Sequence, residues 1–212
     1  ILGDVVSNIL HWNGYEVERE YYYNDAGRQM ERLGQSVKAR YLELVGQSAT
    51  FPDEGYEGEY IIDIARDLMK NRGDNLQDSD DLTIFIQAAE KSIFQDIRNS
   101  LGKMGLIFDW FFNEQSLYES GAIEMVLDIL RGKDLIYENE GATWFRASAV
   151  GREQDRVVIK STGEPTYRLP DIAYHRDKFE RGYDFMVDVF GADHMDAYPD
   201  VLAGAEQLGY NM

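Results

Sequence analysis

Residues 15–23 alternate in character. Tyr15, Val17, Arg19, Tyr21 and Tyr23 take one side, and Glu16, Glu18 and Glu20 the other. A period of two is the signature of a β-strand. Helical patterns flank it on both sides. Before it, Ile1, Val5, Ile9 and Trp12 recur at helical spacing, and Asn13-Gly14 supplies a stop. After it, Asn24-Asp25-Ala26-Gly27 has turn chemistry, and a second helix is expected over residues 28–45. Helix, strand, turn and helix in that order is the rhythm of a parallel α/β sheet.

The pattern continues in the same idiom as far as residue 137. A loop surrounds Phe51-Pro52-Asp53-Glu54-Gly55, and Ile61, Ile64, Ala65 and Leu68 mark a helix over 60–71. Residues 73–81 are a polar, acidic connection. A long helix is expected over 82–104, carrying Ile86, Ala89, Ile93, Ile97 and Leu101 on one stripe. A short strand over 108–112, a helix over 118–130 and a short strand or helix end at 135–137 follow. Residues 143–146, 156–160 and 165–169 then read as three short strands of an antiparallel meander, separated by Gly-, Asp- and Ser-rich turns. A helix over 171–180, a buried strand over 185–190 and a last helix over 197–208 complete the chain.

Composition narrows the function classes. The 212 residues contain no cysteine, which excludes a disulfide scaffold, a thiolate nucleophile and a Cys-ligated metal site. Apolar residues make up 44% and aromatics 13%, enough for a core despite a net charge of −18. No run of about 18 apolar residues exists to span a membrane. The acidic balance also opposes free-standing nucleic-acid binding, which depends on neutralising phosphates with Lys and Arg. The charge is uneven. Residues 146–181 hold 8 basic and 6 acidic groups, net +2, inside an otherwise acidic chain.

Familiar chemical motifs are missing. There is no Gly-x-Gly-x-x-Gly, no phosphate loop, no Gly-x-Ser-x-Gly elbow and no His-Glu-x-x-His. The three histidines, His11, His175 and His194, do not share a pattern that suggests a metal site. Three strand-to-turn junctions remain, and ligands of open α/β sheets bind at such places. The first is Asn24-Asp25-Ala26-Gly27, where Asp25 is either a helix cap or a ligand contact. The second runs from Tyr167 to Asp171. A carboxylate there is either a helix cap or a partner for a guanidinium, whose planar fork matches it with two hydrogen bonds. The third is Gly191-Ala192-Asp193-His194, small residues followed by two polar ones at a helix start. His175, four residues after Asp171, reads as structural or exposed. Physics alone stops at a nucleotide-type or amino-acid-type pocket, suited to a cationic group.

These junctions also carry a resemblance. The segment from Glu18 through Tyr21-Tyr22-Tyr23-Asn24-Asp25-Ala26-Gly27-Arg28-Gln29-Met30 resembles the one that follows the first signature of bacterial arginyl-tRNA synthetases. Glu140-Gly141-Ala142-Thr143-Trp144-Phe145-Arg146 resembles their hairpin. Tyr167, Asp171-Ile172-Ala173-Tyr174-His175 and Gly191-Ala192-Asp193-His194 match in order and spacing. The likeness extends over essentially the whole chain.

The resemblance implies a Rossmann-type parallel sheet segment with an inserted helical and antiparallel-β subdomain. Residues 1–46 would begin the catalytic domain, 47–164 would be the insertion, and 165–212 would return to the catalytic domain. It implies activation of L-arginine with ATP, accompanied by Mg2+, and transfer to tRNA(Arg), by a monomeric cytoplasmic enzyme without a membrane anchor. Tyr167, Asp171 and Asp193 would contact arginine. Gly191 and His194 would contact ATP, and Asn24, Asp25 and Gln29 would flank the pocket. No residue is assigned to the chemical step, and none to a protein-bound metal. The family's two ATP signatures, His-x-Gly-His and Lys-Met-Ser-Lys-Ser, do not occur in these residues. The chain is therefore expected to be the stretch between them, inactive alone. The competing reading is a non-catalytic acidic module that binds arginine or a basic peptide.

Overall fold

A computed structural model describes residues 1–23 and 28–210, and only the backbone of Asp193. The chain divides into two compact units, Gly3–Phe112 and Asn113–Met212.

The first unit opens with α1 (Leu2–Trp12), as the spacing predicts. Its apolar face is bare, however: Val5, Ile9 and Trp12 are all exposed. What holds α1 is polar. The Arg19 Nη2 donates to Asn8 Oδ1 at 2.7 Å and sits 3.7 Å from Asp4. The strand is shorter than its alternation suggests and comprises only β1 (Glu20–Tyr23). Three helices follow, α2 (Arg28–Leu44), α3 (Glu59–Arg72) and α4 (Thr83–Lys103). A second strand, β2 (Trp110–Asn113), pairs with β1.

The partners of β1 and β2 climb together along both strands. Trp110 Nε1 donates to Glu18, Asp109 and Trp110 amides donate to the Arg19 carbonyl, Tyr21 packs on Phe111 and Tyr22 stacks on Phe112. That ordering is the parallel pairing expected of an α/β sheet.

The core of this unit is the three-helix stack. Leu33, Val37 and Tyr41 from α2 meet Ile61, Ile64, Ala65 and Leu68 from α3 and Phe85 and Ala89 from α4. Each set recurs at three- and four-residue spacing, so each helix turns one stripe inward. The Tyr41 ring is fully buried, and its hydroxyl donates to the Gly73 carbonyl at 2.5 Å while accepting from the Leu76 amide. A buried phenol thereby keeps its polar end satisfied.

The second unit begins with α5 (Gln115–Glu119) and α6 (Ala122–Gly132). The periodicity predicts one helix here. Gly121 breaks it, standing at φ 74°, a left-handed conformation that costs glycine little. Next comes an antiparallel sheet of β3 (Ile136–Asn139), β4 (Ala142–Phe145) and β5 (Arg156–Ile159), in that order. Glu140 and Gly141 both have positive φ, the geometry of a tight two-residue hairpin turn.

The third strand of the predicted meander differs. Only Pro165 bridges to Ile159, and the helix α7 (Arg168–Glu180) starts earlier than expected. Pro170 falls in its first turn, where a missing N–H has no intrahelical duty. Residues 185–190 differ too. They form no strand, and Phe185, Val187, Val189 and Phe190 are exposed. A short 3₁₀ turn, Ala192–His194, leads to the last helix, α8 (Tyr198–Gln207). Helix α7 packs against both α6 and α8, and Val126, Leu130, Leu169, Ile172, Val201 and Ala205 on these helices are buried. Among the described residues no helix is long and apolar enough to cross a membrane.

Candidate functional site

The first turn of α7 carries the most perturbed acid of the second unit. The Asp171 amide donates to the Tyr167 carbonyl at 3.1 Å, so Asp171 lies inside the helix and is not its cap. Its side chain is half-buried. Burial pushes its carboxyl up to about 6, and the neighbouring negative charge of Glu114 pushes the same way. His175, His194 and Lys178 pull it back only in part. An acid held this way is short of a cation, and a ligand guanidinium would relieve it.

Glu114 is the residue that sequence reasoning missed. It lies 57 positions before Asp171, at the start of α5, and the two carboxyls act on each other. Tyr118, one turn further along, has its phenol pushed up to about 12 by burial and by the same Glu114 charge. Two carboxyls and a neutral phenol thus share one region of the unit. No local pattern around Glu114 signals this, because the pairing is tertiary.

Behind Asp171 lies a second charged group. His175 is buried, and its Nδ1 is 2.8 Å from the Asp171 carbonyl oxygen. Its Nε2 is 3.3 Å from Asp188, whose other oxygen accepts from Lys178 Nζ at 2.5 Å. Lys178 also lies over the Tyr174 ring at 4.7 Å. Burial works to raise the Asp188 carboxyl, but the hydrogen bonds and charges of His175 and Lys178 outweigh it and hold it at about 2. The structural alternative for His175 is the correct one, and its contact with Asp171 is through the backbone. Asp188, inside the expected strand, works as the anchor of this cluster.

The other predicted residues are spread more widely. Tyr167 precedes α7 and is 53% exposed, with the Arg168 guanidinium 4.9 Å from its ring centroid. Gly191 has extended backbone, φ −69° and ψ 160°, and starts the 3₁₀ turn. His194 stacks on Phe190 with centroids 5.3 Å apart, and its charge reaches Asp171. Gln29 is exposed in the first turn of α2, in the other unit. Asn24 and Asp25 lie outside the described residues, as does the Asp193 side chain. A cleft of about 560 Å³ in the first unit, lined by Gln35, Lys38, Phe51 and Asp80 among others, includes none of the predicted site residues.

The site is thus a carboxylate pair on a helical frame beside a Gly-Ala-Asp-His turn, on an α/β chain. The pattern of class I tRNA synthetases (R), catalytic domain, matches residues 1–211. The chain belongs to that family. It is 55% identical over 211 residues to the arginine–tRNA ligase of Desulfotalea psychrophila, covering 100% of this chain and 38% of that protein. It is 54% identical to the arginine–tRNA ligase of Chlorobium phaeobacteroides, again over all of this chain and 39% of the relative. A crystal structure described as an arginyl tRNA synthetase from Campylobacter jejuni superposes with a TM-score of 0.85 at 33% identity, covering 98% of this chain and 46% of that one. The chain therefore spans about two fifths of the length of these curated relatives.

Proposed function

We propose that these residues are the part of an arginine–tRNA ligase that holds the side chain of the amino acid. The observation that carries this reading is the Asp171 carboxyl, raised to about 6 beside Glu114 on the first turn of α7. A guanidinium is planar, permanently charged and able to give two parallel hydrogen bonds to one carboxylate. Asp171 would take that fork, with Glu114 adding charge and Tyr167 packing alongside. Asp193, with Gly191 and His194, would face the amino acid and adenosine, and Asn24, Asp25 and Gln29 would flank them.

In the whole protein the arginine carboxylate attacks the α-phosphorus of ATP. A P–O bond forms, the bond to the β-phosphate oxygen breaks, and arginyl-adenylate and pyrophosphate result. A ribose hydroxyl of tRNA(Arg) then takes the arginyl group and AMP leaves. This chain's share is positioning: it fixes one end of the amino acid so that the other approaches the phosphorus in line. Among the described residues no cluster of three His, Asp or Glu is arranged for a metal ion. Mg2+ would enter with the ATP phosphates. The reading includes a monomeric protein that works in the cytoplasm, and residues 47–164 as an insertion in a domain shared by 1–46 and 165–212.

The test is arginine-dependent exchange of pyrophosphate into ATP by the full-length protein. Asp171→Asn is expected to abolish it. Normal exchange by that variant would remove the assignment. The 212 residues alone are expected to show none.

A further inference from the structure

A carboxylate in α8 is surrounded by three arginines. Asp200 is 1% exposed. Its Oδ1 accepts from Arg152 Nε at 3.1 Å, and its Oδ2 accepts from Arg156 Nε at 2.7 Å and Arg168 Nε at 3.1 Å. The arginines come from three places in the chain: the loop after the 3₁₀ turn Ala147–Val150, the start of β5 and the start of α7. Burial works to raise the Asp200 carboxyl, but these three hydrogen bonds win and lower it, so it stays charged. Three cations on one anion leave a local excess of two positive charges.

Neutralising Asp200 needs one guanidinium, so the other two have a different use. Each arginine spends only its Nε–H on Asp200. Among the described residues nothing accepts from any of their terminal nitrogens. The three side chains are 31%, 22% and 19% exposed, neither sealed in the core nor free in solvent. The shared carboxylate and the Tyr167 ring beneath Arg168 hold the forks in place before any ligand arrives. Two carboxylates lie between Arg152 and Arg156: Glu153, and Asp155, which is already taken by Ser148 and Tyr137. The excess stands out because the chain as a whole carries −18.

We infer that Arg152, Arg156 and Arg168, held by Asp200, form a binding site for a phosphate group. Preset guanidinium forks of excess positive charge, part-shielded from water, match phosphate oxygens. The phosphate comes either from a free polyphosphate or from an RNA backbone. The site does not depend on the reading of Asp171 as an arginine contact: Tyr167 borders both, through Arg168, but Arg152, Arg156 and Asp200 have no part in that pocket.

The test titrates the chain calorimetrically with inorganic pyrophosphate and, separately, with a short RNA duplex at several salt concentrations. Arg152 is the most exposed of the three, and Arg152→Gln is expected to weaken binding about tenfold, the effect of losing a charge-assisted hydrogen bond. In the RNA arm the same variant should lower the slope of log affinity against log salt by about 1. Lys160→Gln, a cation paired with Glu164 outside the cluster, is expected to change neither. Pyrophosphate binding assigns the site to free polyphosphate, and RNA binding alone assigns it to a backbone. If Arg152→Gln does not fold, Arg152→Lys keeps the charge and loses the fork, and should still weaken binding several-fold. No binding by either probe, or equal weakening by Arg152→Gln and Lys160→Gln, overturns the site.

Discussion

His175 and Asp171 are joined through the backbone, the imidazole Nδ1 lying 2.8 Å from the carbonyl oxygen one turn earlier. The hydrogen-bonding contact is with the backbone, and His175 acts on the Asp171 carboxyl only through its charge. The contact also ties the turn that presents that carboxyl to Asp188 and the buried Lys178 paired with it. The acid and its support are therefore separable by mutation.

Stability should report the raised Asp171 carboxyl directly. Its folded value of about 6 exceeds the ordinary value of 3.8, so the folded protein holds the proton more tightly. Stability contributed by the protonated form is complete below 3.8 and is lost as pH rises to about 6. Asp171→Asn removes that loss. The variant is expected to match the parent near pH 4 and to exceed it at pH 7.5 by about 1–2 kcal/mol. Urea unfolding at the two pH values checks this; a variant that is less stable at pH 7.5 contradicts it.

Arginine binding should release protons. A guanidinium favours the carboxylate, so binding at pH 5.5 must expel the proton that the empty site holds. Affinity is expected to rise with pH up to about 6 and then flatten. Calorimetry in buffers of different ionisation enthalpy measures the protons released by the full-length protein. A heat independent of buffer would sink the linkage.

Asp188 works in the opposite sense. Its carboxyl is held at about 2, below its ordinary 3.8, so its contribution is present above 3.8 and lost as pH falls towards 2. Asp188→Asn leaves the buried Lys178 ammonium without its partner. That loss is expected to cost about 2–3 kcal/mol at neutral pH and little near pH 2. Thermal unfolding at both pH values distinguishes this from a defect in packing, which would persist in acid.

Gly204→Ala should loosen the frame of the site. A methyl group at Gly204 would lie 2.5 Å from Ile172 Cδ1 and 2.9 Å from its Cγ1, and Ile172 is buried in α7 beside Asp171. Ile172 is 1% exposed, so its side chain can give way only by displacing packed neighbours. The substitution is expected to destabilise the chain by about 1–3 kcal/mol, although alanine favours helix. An unchanged melting temperature would show that α7 and α8 can move apart freely.

Much of this architecture is legible in residue spacing. The helices over α2, α3, α4 and α8 follow their apolar stripes to within a residue or two of the observed ends. Errors fall where one residue overrides a period. Gly121 splits a helix that its neighbours support, and Pro170 belongs to a helix start where a strand end seemed equally natural. The run 185–190 shows a different limit. Apolar character says what a strand would suit, while a ladder needs a partner that no local pattern names. The same applies to the site. Asp171 is visible as a carboxylate at a bend, but Glu114, Lys178 and Asp188 gain their meaning from contacts made only after folding.

The exposed stretch 185–190 has a practical consequence. Phe185, Val187, Val189 and Phe190 face solvent, and the segment is tied by Lys178 and His175 on Asp188 and by His194 stacked on Phe190. Among the described residues its backbone amides and carbonyls make no ladder. Such a ribbon is a template for any passing strand, including the same ribbon of another molecule. Solubility of the isolated chain would then be limited by six residues, with Asp188 as the gatekeeper charge in their midst.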